Sequence, residues 1–296
     1  MQTDTAIEAV YETALIMAAY RAIEFNRKDA LFRDHLAQKL SGLRGVTLAA
    51  SLPGKSAKHA SASYSVRTRL FDDLVLEAVN ERGVGAVLNL GAGLDTRPYR
   101  LPVPNHLWWV EVDLPEVIAH KEARLIDDRP ICHRRSYPID VTDAAARQPL
   151  FFELAELHCE VAVCTEGLLP YLSPEQVSGL AVDLHRQANF RWWLTDLLSP
   201  SAMLVAQKRI DKHRPDIRLR FAPQEGPEFF SRFGWRPVRF NSFLEEGYRL
   251  GRGTLPTWSY KLAKTFCSES AWRFVCQLTG GVLLLERGEV ADEAAR

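Results

Sequence analysis

Four short stretches, 86–90, 107–112, 161–165 and 192–198, are almost continuously apolar and no longer than one strand each. A strand with one wet face alternates apolar and polar residues, whereas a strand covered on both faces has no need to. The stretches between them carry helical patterns with clear start signals. In Ser173-Pro174-Glu175-Gln176 the serine can cap, proline takes the first helical position and Gln176 completes a capping box. Pro115 likewise opens a helix that would bury Val117, Ile118 and Leu125. Strands alternating with helices imply an α/β domain built on a mainly parallel sheet, with ligands at the carboxyl ends of the strands. The chemistry should then lie just after Leu90, Val112, Thr165 and Leu198.

Before this region, Ile7, Val10, Tyr11, Ala14, Met17, Ala18, Ala22 and Phe25 follow the spacing of one long amphipathic helix. Helical patterning resumes over 31–43 and 66–79, and a last strand is expected over 282–287 before a polar tail from Gly288. No repeat or Pro/Gly-rich linker marks a boundary. The expectation is a single domain: a helical cap over 1–80, a ligand-binding core over 81–200, a lid and substrate region over 201–288, and a disordered tail over 289–296.

Composition excludes several classes. Lys+Arg 37 balance Asp+Glu 37, so the basic excess that phosphate backbones or anionic membranes require is absent. The longest apolar runs fall well short of the ~20 residues that cross a bilayer, and the amino terminus lacks a basic-then-apolar leader pattern. The expected partner is a small molecule, not nucleic acid or membrane, and the expected compartment the cytoplasm. Five cysteines without a Cys-x-x-Cys pair suit neither a disulfide framework nor a metal site.

The strongest local signal is Leu88-Asn89-Leu90-Gly91-Ala92-Gly93, a strand running into Gly-x-Gly. Without β-carbons, such a turn lets a ligand lie flush against the backbone. A dinucleotide fingerprint would place a third small residue where Thr96 stands, which weakens a nicotinamide-dependent oxidoreductase as the alternative function. About 20 residues later Glu111 and Asp113 end the next strand, the place where a carboxylate grips a ribose diol. Asp113 equally suits a helix cap ahead of Pro115.

Here the chain resembles the leucine carboxyl methyltransferase family, which uses S-adenosylmethionine and includes protein phosphatase carboxyl methyltransferases and bacterial small-molecule O-methyltransferases. The likeness runs in order through Ala19-Tyr20-Arg21-Ala22-Ile23-Glu24, Arg67-Thr68-Arg69-Leu70-Phe71-Asp72-Asp73, the Gly91 turn with Asp95-Thr96-Arg97, and Glu111 to Pro115 with Lys121. It continues through Thr165-Glu166-Gly167-Leu168-Leu169-Pro170-Tyr171-Leu172 and ends at Gly234-Trp235 and Leu284-Leu285-Glu286-Arg287. The resemblance implies a Rossmann-like class I methyltransferase sheet with N-terminal helices and a helical lid. It implies Arg67 on the methionine carboxylate, Gly91, Ala92 and Gly93 beneath the cofactor, and Asp113 on the ribose, with Glu111 as the competitor. Asp140 and the Val141 backbone would meet the adenine, and Glu166 the ammonium. On sequence alone Asp140 also suits a turn, and Glu166 a structural ion pair.

The implied reaction is O-methylation of a small-molecule acceptor, free or carrier-tethered, with a carboxylate slightly preferred over a phenol; a non-catalytic cofactor-binding homologue is the remaining alternative. A carboxylic acid is already ionised at neutral pH, whereas a phenol gains from a general base. His133, His185 and His213 are the imidazoles to test, and Tyr171 follows Glu166 closely enough to position an acceptor. Segment 207–220 is rich in Lys208, Arg209, Lys212, Arg214, Arg218 and Arg220, which suits either an anionic acceptor or a solvated helix face. Trp258, Tyr260, Phe266, Trp272 and Phe274 are expected to line an apolar pocket or to pack as core.

Overall fold

A computed structural model describes residues 2–51, 54–211, 214, 216–253 and 256–288. Seven strands form one sheet: β1 (Ala86–Leu90), β2 (Trp108–Asp113), β3 (His133–Pro138), β4 (Val161–Thr165), β5 (Phe190–Leu197), β6 (Trp235–Ser242) and β7 (Gly281–Arg287). Their spatial order is β3-β2-β1-β4-β5-β7-β6. β7 alone runs antiparallel to its neighbours. The order reverses between β1 and β4, and in sheets of this kind such a switch point is where a ligand crevice lies, at the carboxyl edge.

Both strands without an apolar signature, β3 and β6, lie at the edges of the sheet. β3, with the sequence His-Arg-Arg-Ser-Tyr-Pro, has no fully buried residue. β6 keeps only its two ends buried, and its register shifts between Pro237 and Arg239, since proline cannot donate to the ladder.

Helices α1 (Gln2–Phe25), α2 (Ala37–Ala50) and α3 (Gly54–Asn80) precede the sheet, and α4 (Arg97–Arg100) and α5 (Pro115–Arg124) follow β1 and β2. The stretch 31–36 is a turn, not the start of a helix. The Leu31 amide is drawn to the Glu24 carboxylate and the Leu36 amide to Asp34, which competes with helical bonding. α3 begins well before Val66, and its second half is a core layer of the sheet. Val66, Leu70, Phe71, Leu74 and Val75 pack there on Val87, Trp109, Ala162 and Leu194. Burying side chains of this size stabilises by roughly 1.5–3 kcal/mol each, which holds the helix on the sheet.

The opposite face is covered by α6 (Ala144–Ala155) and α7 (Pro174–His185), with Leu150, Phe151, Val177 and Leu184 on Leu88, Val110 and Val163. Ser173 and Gln176 form the expected capping box. α1, α2 and α5 join through Leu15, Ala18, Leu40, Val117 and Leu125, and Leu94 and Tyr99 anchor them beside the glycine turn.

The later region is α8 (Pro200–Ile210), α9 (Phe243–Arg249), α10 (Thr257–Phe266) and α11 (Glu269–Leu278). The aromatic pocket expected here is not formed: Trp258, Phe266 and Phe274 are 70%, 80% and 61% exposed. Only Trp272 is buried, with Tyr260 edge-on against it and stacked on Tyr248. The polar tail over 289–296 and His213 lie outside the described residues. No described helix is long and apolar enough to cross a membrane.

Candidate active site

The carboxyl ends of β1, β2, β4 and β5 bring together most of the residues that the sequence singles out. After Leu90 the chain turns at Gly91 and Gly93, both with positive φ, and the Gly91 and Ala92 amides donate to the Val112 carbonyl at 2.8 and 3.1 Å. The left-handed backbone favours glycine there, and a β-carbon on Gly91 would stand 3.0 Å from Leu168 Cδ1, so Leu168 would have to give way.

Asp113, at the tip of β2, accepts the Gly93 amide at 2.6 Å and the Leu114 amide at 2.7 Å. Burial pushes its carboxyl up to about 6, with the two amides opposing the rise. Glu111 is settled differently. Fully buried, it takes both carboxylate bonds from Lys121 Nζ at 2.8 Å and a third from Arg134 at 2.9 Å, and is therefore committed to the interior. Of the two acids, Asp113 is the one at the crevice.

Glu166 follows β4 and sits between two guanidiniums. Arg67, on α3, reaches Oε1 at 3.1 Å, and Arg97, at the start of α4, reaches Oε2 at 2.7 Å. Burial raises the Glu166 carboxyl, but the two arginines outweigh it and leave it below the ordinary carboxylate value. Arg67 also contacts Asp196 at 3.1 Å and lies over the Tyr64 ring at 5.0 Å.

Tyr171 closes the short 3₁₀ turn Leu169–Tyr171 in the same cluster, facing Tyr64, Arg67 and Asp196 and bonded to Thr13. Burial, then Tyr64, pushes its hydroxyl well above the ordinary value, so it stays a proton donor. Asp140 stands past the end of β3 and is exposed. Its carboxylate accepts the amide and hydroxyl of Thr142 at 2.8 Å, the turn role available to it on sequence. Val141 is buried, and its carbonyl accepts from Arg147 at 3.0 Å.

Two of the three imidazoles are removed from the site. His133 begins β3, at the amino edge of the sheet opposite the glycines, with its ring 5.0 Å from Trp108. His185 ends α7 and bonds the Gly288 carbonyl at 2.9 Å. Neither can serve as base at the crevice. Two members of the basic segment are paired with acids: Arg218 with Asp211, and Arg214 with Asp216 and Glu12 of α1, while Lys212 lies outside the described residues. The Arg220 amide donates to the Pro170 carbonyl at 2.7 Å, so this segment links the end of α8 to α1 and the Tyr171 turn.

Arg97 and Asp196 emerge only from the structure. Arg97, 3% exposed, binds Asp72, Asp95 and Glu166. Burial raises the Asp95 carboxyl, but Arg97, Lys121 and Arg100 outweigh it and hold it down at about 2. Asp196 ends an apolar strand just as Glu166 does, and that shared pattern was its available signal.

The leucine carboxyl methyltransferase model matches residues 14–184. The chain belongs to this family. The matched residues carry the second half of α1, Arg67, the glycine turn, Asp113 and Glu166 together. Among the family's relatives, a Mycolicibacterium smegmatis protein provisionally named an S-adenosyl-L-methionine-dependent methyltransferase is 36% identical over 195 residues, 60% of this chain and 63% of that protein. A protein from Parafrankia sp. with the same provisional name is 38% identical over 187 residues, 60% of this chain and 59% of its own length. The chain thus spans about three-fifths of these curated relatives. A crystal structure of a Thermobifida fusca protein, provisionally a methyltransferase, shares the fold with a TM-score of 0.56 at 19% identity, covering 93% of this chain and 94% of that one.

Proposed function

We propose that this family member transfers a methyl group from S-adenosylmethionine to an oxygen of a small-molecule acceptor, a carboxylate in preference to a phenol. A carrier-tethered acid falls within the same class. The observation that carries the reading is the set Arg67, Asp113 and Glu166 converging on the Gly91 turn. A guanidinium suits the methionine carboxylate, since its fork offers two parallel hydrogen bonds. Glu166 suits the ammonium, Asp113 the ribose hydroxyls, and the Gly91-Ala92-Gly93 backbone the passage beneath them. Asp140 and Val141 suit the adenine edge once Asp140 turns from Thr142.

The donor supplies an already activated sulfonium methyl. The protein's task is to align the acceptor oxygen and keep water away. The preference for a carboxylate rests on the side chains at the crevice. No described imidazole contacts Arg67, Glu166, Tyr171 or Asp196, and Tyr171 is a poor base because its proton is firmly held. A hydroxyl that donates suits an acceptor oxygen that arrives already ionised. The nicotinamide reading fares worse, because Thr96 fills the third fingerprint position and its hydroxyl donates to Asp34 at 2.7 Å. Five free cysteines suit the reducing cytoplasm.

The test is calorimetric titration with S-adenosylhomocysteine and NAD, then mass spectrometry of acid and phenol pools incubated with donor and enzyme. We expect binding of the first ligand and a methyl gain on acids, with a rate flat from neutral to alkaline pH. NAD binding without S-adenosylhomocysteine binding overturns the class; donor binding with no turnover on any pool points to a non-catalytic homologue.

A further inference from the structure

Six ion pairs join seven side chains into one network that runs inward from the crevice. Arg100 and Arg97 hold Asp72 at 2.6 and 2.7 Å, and Arg97 also reaches Asp95 at 3.0 Å and Glu166 at 2.7 Å. Arg67 then spans Glu166 and Asp196, both at 3.1 Å. Four carboxylates, Asp72, Asp95, Glu166 and Asp196, therefore share three guanidiniums, Arg67, Arg97 and Arg100. With every group ionised these seven side chains carry one net negative charge, and the further cation facing them, Lys121 paired with Glu111, acts at Asp95.

The contacts locate that deficit. Asp72 and Glu166 each hold two arginines. Asp95 holds Arg97 through both side chain and amide and accepts from Asn89 at 2.8 Å. Asp196, 3% exposed, has a share of Arg67, the Gly167 amide at 2.6 Å and a bond to its own backbone. The groups facing it are Arg67 from α3, and Glu166, Gly167 and Tyr171 from the turn after β4, so among the described residues Arg67 is the cation it meets and Glu166 a second anion. Leaving a buried carboxylate under-compensated is costly unless another positive charge arrives. The deficit lies at the open end of the network: Arg67 and Glu166 side chains are 14% and 16% exposed, against 4% for Arg97 and Arg100.

S-adenosylmethionine carries a carboxylate, an ammonium and a sulfonium, a net positive charge of one. After transfer the carbon–sulfur bonding pair returns to sulfur, and the product is a neutral zwitterion. Resting on the reading of this crevice as the donor site, we propose that Asp196 makes the site select the charged donor over the neutral product, its charge only partly compensated by the shared Arg67 and matched by the sulfonium. Burial raises the Asp196 carboxyl above its ordinary value, with Arg67 and the Gly167 amide only opposing this. Where Asp196 is partly protonated, donor binding releases its proton and product binding does not.

Calorimetry on the intact protein without acceptor, in buffers of differing ionisation enthalpy, tests this from acidic to neutral pH with S-adenosylmethionine and S-adenosylhomocysteine. The ratio of donor to product affinity is expected to rise with pH, with proton release on donor binding alone. Asp196→Asn is expected to cut that ratio about tenfold, equivalent to 1.4 kcal/mol, and to flatten its pH dependence while S-adenosylhomocysteine still binds; Asp196→Glu should restore both. Subtracting the Asn variant removes the ligands' own titration. Should Asp196→Asn fail to fold, the wild-type ratio and proton count decide alone. A ratio independent of pH, equal proton release for the two ligands, or an unchanged ratio in a folded Asn variant overturns the proposal while leaving the donor site intact. Failure of both ligands to bind overturns the donor site and this proposal with it.

Discussion

Asp113 gives the chain a calculable stability cost. Its carboxyl stands at about 6, against an ordinary value of 3.8, a difference of about two units or about 3 kcal/mol at 1.36 kcal/mol per unit. At 8% exposure, solvent does little to reduce it. Because the folded value is the higher one, the folded protein binds the proton more tightly. The stabilisation is complete below the unfolded value and is lost as pH rises through about 6. Urea unfolding of wild type and Asp113→Asn at matched pH isolates this group from Asp196 and Asp95. The wild-type stability minus that of the variant should fall by about 3 kcal/mol between acidic and neutral pH. A difference that stays constant with pH refutes the argument. An acid this unfavourable is tolerated where an anion is needed for binding. Accordingly Asp113→Ala should weaken S-adenosylhomocysteine binding by more than about tenfold, or 1.4 kcal/mol.

Arg97→Met should destabilise by about 3–5 kcal/mol in the same assay, because it takes the paired arginine from buried Asp95 and one of two from Asp72 and from Glu166. A loss below about 1 kcal/mol would mean that Arg97 is no hub. Gly91→Ala should lower stability by about 1–2 kcal/mol from its left-handed backbone alone, with further loss from Leu168 crowding. Unchanged melting would contradict the observed turn. Arg67→Met should weaken S-adenosylhomocysteine binding about tenfold, and equal affinity in a titration would remove Arg67 from the donor site.

How far the site can be read in sequence depends on how local each signal is. The glycine turn, Asp113 and Glu166 are legible because each lies beside a buried strand whose apolar run is local and continuous. The choice of Asp113 over Glu111 is not, since it depends on Lys121 and Arg134 reaching Glu111 from α5 and β3. His133 and His185 looked equivalent to any other imidazole until the direction of β3 and the end of α7 put them elsewhere.

By itself the sequence determined the α/β class, four of the central strands, the capped helices and the family, because hydrophobic period, capping residues and glycine turns act over a few positions. Only the tertiary structure decided the rest. β3 and β6 have polar faces and form because a neighbour offers free backbone bonds. The Arg97 and Asp196 network joins residues from α3, α4, β5 and the turns after β1 and β4, and its charge balance is a sum over groups up to 129 positions apart. Electrostatic energy depends on distance in space and on exclusion of water, and neither can be read along the chain.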